Sequence, residues 1–134
     1  MARVVALCGD LMFGSRIAAQ LQAAGEELEL LPDAAAVRAR LDGPAAERPR
    51  VLVVDLTSDS EAGIELVAGL AREGSSPAGG AGGPPRTLGF YSHVEANVRE
   101  RAVGAGFDLV VPRSRMAREG ASLVQRLLEE PTAR

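Results

Sequence analysis

The chain has 134 residues, 46% of them apolar but only 3% aromatic, and a formal net charge of −3. That length suits one domain able to bury roughly two thirds of its unfolded surface, with helices packed closely on alanine-sized side chains. Every basic residue is arginine, and they are scattered in ones and twos, as in Arg38 with Arg40 or Arg99 with Arg101; this excludes the clustered basic footprint of a nucleic-acid binder.

The apolar run within Met1–Leu7 is too short for a signal peptide or a membrane span, so a cytoplasmic location is expected. Arg3–Cys8 reads as a buried strand, and Cys8, alone in the chain, excludes an internal disulfide and a cysteine-based zinc site. In Phe13–Ala24, Ile17 and Leu21 lie four apart on one helix face, and Gly25 supplies a stop. Glu27–Leu31 alternates charged and apolar residues as a half-buried strand does. Asp33 caps a helix running through Leu41, with Val37 and Leu41 inward, and Gly43-Pro44 end it. Arg50–Asp55 contains the unbroken apolar run of a central parallel strand. Ala62–Arg72 reads as a helix with Ile64, Val67 and Leu70 inward. Gly74–Pro85 is rich in Gly, Pro and Ser, cannot bury apolar surface, and reads as a flexible loop insertion at the strands' N-terminal edge. Thr87–Tyr91 is a fourth strand, Val94–Ala105 a helix ended by Gly106, Asp108–Val111 a fifth strand, and Ala117–Glu130 a last helix ended by Pro131. One domain over 1–130 with a short tail, 131–134, accounts for the whole chain.

Strand and helix thus alternate five times. Crossovers this long make the strands parallel and the connections right-handed, and strands apolar on both faces need helices on both. The expected fold is α/β, a flavodoxin-like (βα)5 three-layer sandwich around a five-stranded parallel sheet of order 2-1-3-4-5. Ligands of such sheets bind at the C-terminal edge where strands 1 and 3 diverge. Here that edge carries Cys8, Gly9 and Asp10 after strand 1 and Asp55 at the end of strand 3.

Asp55-Leu56-Thr57 followed by Gly63-Ile64-Glu65-Leu66 resembles the response-regulator receiver (CheY-like) segment that opens on the phosphoacceptor aspartate, with a glycine eight residues on. Ala105-Gly106-Phe107-Asp108 resembles the stretch before that family's terminal Lys-Pro. The resemblance makes Asp55 the phosphoacceptor equivalent and places Cys8, Gly9, Asp10, Thr57, Tyr91, Ser92 and Arg113 around its pocket. It also implies Mg²⁺, held by two adjacent acids after strand 1, the phosphoacceptor and a carbonyl two residues beyond it. Counting back from Gly25 puts Cys8 and Gly9 where the acids belong, leaving Asp10 and Asp55 as metal-side carboxylates and the Thr57 carbonyl as a third donor. Mg²⁺ requires hard oxygen ligands in near-octahedral order, so weak or absent binding and no obligate cofactor are expected. Arg113-Ser114 replaces Lys-Pro, and Tyr91 or Ser92 stands for the family's hydroxyl residue. Cys8 reads as a small buried apolar group and His93 as a loop residue.

These departures imply a pseudo-receiver, not an enzyme. It would signal by docking to a histidine kinase, a downstream effector or a second copy, through the face of helix 4, strand 5 and helix 5. Two alternatives stand beside it: a phosphorylatable stand-alone regulator using Asp55, and a flavodoxin-like ligand binder. The latter lacks a Gly-rich phosphate loop and aromatics to stack on a ring.

Overall fold

The apolar runs form strands and the helix-spaced segments between them form helices, in strict alternation, in a computed structural model that describes residues 2–57, 59–74, 84–92 and 96–129. The strands are β1 Val4–Leu7, β2 Leu28–Leu31, β3 Val51–Asp55, β4 Arg86–Tyr91 and β5 Leu109–Pro112. The helices are α1 Leu11–Ala23, α2 Ala34–Leu41, α3 Ser60–Gly74, α4 Ala96–Ala105 and α5 Arg113–Glu129, with a short 3-10 turn at Ala45–Glu47 after α2. All pairings are parallel and the sheet order is β2-β1-β3-β4-β5. The expected flavodoxin-like topology is the observed one.

All five residues of β3 are buried because the strand lies mid-sheet with helices on both faces. Val4, Ala6, Cys8, Val51, Val53, Leu88 and Phe90 face α1 and α5, against Ile17, Leu21, Met116 and Val124. Val5, Leu52 and Val54 face the opposite layer, against Val37, Val67 and Val98 of α2, α3 and α4. Each fully buried aliphatic side chain here stabilises the fold by about 1.5–3 kcal/mol. α3 sits especially close to the sheet: a Cβ on Gly63 would come 2.7 Å from Val54 Cγ1 and 2.8 Å from Leu56 Cδ2.

Local chemistry sets the helix ends. Asp33 Oδ1 accepts from the Ala36 amide at 2.9 Å, the expected cap of α2. α1 ends at Gly25, whose φ of +88° permits the Glu26 amide to reach back to the Leu21 carbonyl at 2.9 Å.

Three helices, α1, α3 and α5, differ from the sequence reading by two residues or more at an end. α1 starts at Leu11, not Phe13, because Asp10 caps it. α3 extends over Ser60–Gly74, so Gly74 closes a helix instead of opening a loop. α5 starts at Arg113, not Ala117: its buried stripe begins at Met116 and recurs at Gly120, Leu123, Val124 and Leu127, one turn earlier than the leucines show. β5 ends on Pro112, whose ring offers no donor to continue the ladder, and the helix follows with no intervening loop. The bulk of the expected 74–85 loop (75–83), Val94 at the expected start of the fourth helix, His93 and the tail 131–134 lie outside the described residues. Among the described residues no helix is long and apolar enough to cross a membrane.

Candidate functional site

β1 and β3 pair with Leu7 opposite Val54. One residue further along, Cys8 and Asp55 stand side by side on the face covered by α1 and α5. Asp55 is only 7% exposed, and a buried carboxylate must find donors. Its Oδ1 accepts from the Thr57 amide at 2.8 Å and from the Thr57 hydroxyl at 2.5 Å, a side-chain turn that Asp favours after a strand. On its other side, the Cys8 thiol lies 3.5 Å from Oδ2. The same sulfur is 3.3 Å from the Asp10 carbonyl oxygen, so one S–H proton has two acceptors within reach. Burial, reinforced by the negative charge of Asp55, pushes the Cys8 thiol up to about 11. Cys8 is therefore a neutral donor at physiological pH.

The other charged residues turn elsewhere. Asp10 Oδ1 accepts from the Phe13 amide at 3.0 Å, capping α1. Its Oδ2 pairs with Arg113 Nη2 at 3.2 Å. The Arg113 guanidinium carbon sits 4.2 Å from the centroid of the Phe13 ring, a stacking contact that suits the planar guanidinium. Phe13 in turn packs on Phe90, with centroids 5.1 Å apart. Arg113 is thus fixed to the first turn of α1 by a carboxylate and a ring. Tyr91 closes β4 and packs with the α2–α4 layer, on the opposite face from Asp55. Ser92 is half-buried just beyond it, and Gly9 is exposed, with nothing within 4 Å of where its Cβ would stand.

The fold therefore joins the candidates in two groups. Asp55, Thr57 and Cys8 share one hydrogen-bonded cluster, and Asp10 and Arg113 form an ion pair beside it. One participant, Phe13, and one role, that of Cys8, escaped the sequence reading. Phe13, the seat of Arg113, is 100 positions from its partner in sequence. Cys8 was legible as a buried residue, but its role as a donor to Asp55 follows only from strand register. Asp10 as a helix cap did have a sequence signal, an aspartate three residues before the buried Phe13.

No protein-family model and no curated relative matches the sequence. Solved structures do. A response-regulator receiver protein from Burkholderia phymatum superposes with a TM-score of 0.73 at 22% identity, covering 96% of this chain and 95% of that one. The receiver domain of NtrX from Brucella abortus gives 0.75 at 16% identity, over 96% of this chain and 99% of that one. The Mn²⁺-bound form of response regulator Rcp1 gives 0.72 at 15% identity, over 98% and 97%. What is shared at such identities is architecture: this chain has the fold of the CheY-like response-regulator receiver domain.

Proposed function

We propose that this chain is a pseudo-receiver, a signalling module that acts by docking to another protein and in which phosphorylation of Asp55 is weak or absent. The carrying observation is that both oxygens of Asp55 face donors of its own chain, the Thr57 hydroxyl and amide on one side and the Cys8 thiol on the other. Phosphoryl transfer to a carboxylate depends on neutralising charge that develops on the transferred group. The donor set does not fit the Mg²⁺ that the fold implies: Cys8 brings a protonated thiol in place of a hard oxygen, and the Asp10 carboxylate is committed to α1 and Arg113. Among the described residues no group of three or more His, Cys, Asp or Glu side chains is arranged to hold a metal ion. Arg113, the counterpart of the family's lysine, is also held on Phe13 and Asp10. On this reading the chain is not an enzyme. Its output passes through a histidine kinase, an effector or a second copy meeting α4, β5 and α5, where Val103 is 52% exposed.

The rival reading keeps Asp55 as a phosphoacceptor. It is favoured by the position of Asp55 at the end of β3 and by the open space at Gly9, and one structural neighbour binds Mn²⁺. Amide NMR with Mg²⁺ and then beryllofluoride separates the two. The pseudo-receiver reading expects no saturable shift around Asp55 at millimolar Mg²⁺ in the wild type, and a gain on Gly9→Asp, whose new carboxylate has room. Saturable wild-type shifts centred on Asp55 would overturn it.

A further inference from the structure

Among the described residues three large apolar side chains are exposed, and two of them are neighbours: Leu11 at 70% and Met12 at 82%, the first two residues of α1. Apolar residues exposed singly need no explanation, whereas an adjacent pair beside a candidate site does. Their position follows from the cap. Asp10 starts α1 by accepting from the Phe13 amide, Phe13 turns inward onto Phe90, and Leu11 and Met12 are left on the outer side of the first turn. The pair therefore follows directly on Asp10, the partner of Arg113.

The described sulfur atoms sit in opposite environments. Met116 is 0% exposed, in the core between the sheet and α1. Cys8 is 5% exposed, and burial with the charge of Asp55 keeps its thiol protonated. An oxidant in water does not reach a buried thioether, and a protonated thiol reacts poorly because the thiolate is the nucleophile. Among the described residues Met12 alone joins a nucleophilic sulfur to open access. Its reaction with a peroxide is a two-electron oxygen transfer. The thioether lone pair attacks one peroxide oxygen, the S–O bond forms as the O–O bond breaks, and the departing hydroxide takes the proton left on the transferred oxygen and leaves as water. Sulfur is oxidised and the peroxide reduced. The sulfoxide is polar and its oxygen accepts hydrogen bonds. At this exposure the change removes no core contact, and the leading amides of a helix have no acceptor in the ladder, so a new acceptor there competes with no backbone bond.

We propose that Met12 is an oxidative modification site, converted by peroxides to the sulfoxide ahead of Met116 and Cys8, and that this turns the apolar Leu11–Met12 edge polar while the fold stays intact. The inference holds whether or not Asp55 is phosphorylated. Hydrogen peroxide is the probe, on the full native chain, with the oxidised positions located over time by peptide fragmentation in the mass spectrometer. Met1, which lies outside the described residues, is scored separately. Met12 is expected to gain its oxygen at least about tenfold faster than Met116 or Cys8, and in urea Met116 should catch up with it. The chain oxidised at Met12 should keep the urea midpoint of the untreated chain, as surface changes do, and should leave a phenyl column earlier. Met12→Leu keeps the apolar bulk and removes the sulfur, so it should abolish the early oxidation in α1 and the change in retention that goes with it. The proposal is overturned if Met116 or Cys8 oxidises as fast as Met12 in the native chain, if the chain oxidised at Met12 unfolds at lower urea, or if its retention is unchanged or changes equally in Met12→Leu.

Discussion

Cys8 and Asp55 meet because neighbouring parallel strands stay in step, and the consequence is a thiol held protonated next to a carboxylate. The thiol's folded pKa, raised from the ordinary 9.0 to about 11, makes a prediction with a definite sign. A group that holds its proton more tightly when folded stabilises the fold below its unfolded pKa and loses that contribution as pH rises through the folded one. Urea melts should therefore show stability falling by about 2 kcal/mol between about pH 9 and 11 on account of Cys8, and Cys8→Ala should remove that slope. The window is clear of lysines, since the chain has none. An unchanged slope in Cys8→Ala would mean the thiol is not held as the geometry implies. A second consequence of the same burial concerns reactivity. Iodoacetamide should modify native Cys8 far more slowly than the urea-unfolded chain, because it needs both exposure and thiolate.

Helices and strands meet at distances set by their smallest residues. The eight-residue spacing of Asp55 and Gly63, part of the resemblance to receivers, has a packing basis here: α3 crosses β3 at Gly63, where any Cβ would strike Val54 and Leu56. Gly63→Ala should destabilise the domain by about 1–3 kcal/mol through overpacking, despite the helix preference of alanine. A shift in urea midpoint smaller than that of an exposed Gly104→Ala control would show α3 free to move off the sheet. Gly104 is a suitable control because it lies in α4 with open space around its Cβ. At the start of α1 and α5 the elements are tied crosswise. Asp10 caps α1 and pairs with the first residue of α5, and further along α1 the Gln20 amide donates to the Ala117 carbonyl and accepts from the Ala121 amide of α5. The start of α5 was the least legible of the helix ends, because Met116 shows its buried role only once α5 is packed on the sheet and α1.

At the scale of the whole molecule, ligand linkage offers a check that requires no assignment. Anything that binds only the folded state raises its stability by RT ln(1 + [L]/Kd). Under the pseudo-receiver reading the wild-type thermal midpoint should be flat up to about 10 mM Mg²⁺, whereas a site with millimolar affinity would add on the order of 1 kcal/mol. Gly9→Asp should turn the flat response into a rising one. A rising wild-type midpoint would instead return Asp55 to metal-assisted chemistry.

The sequence by itself determined the alternation of five strands and five helices, the parallel sheet, its order and the edge where Asp55 stands. The alternation follows from local patterns: apolar runs, helical spacing and the stops at Gly25 and Gly106, all physics within a dozen residues; the order was expected from the fold class that this alternation indicates. The pairing of Asp10 with Arg113, the thiol donor on Asp55, and the bonds from Gln20 to α5 were decided only in three dimensions. Each joins residues 47 to 103 positions apart, and no periodicity in the chain records which side chains will face each other across two packed helices or adjacent strands. Register and helix packing fix those contacts, and they arise only when the core is assembled.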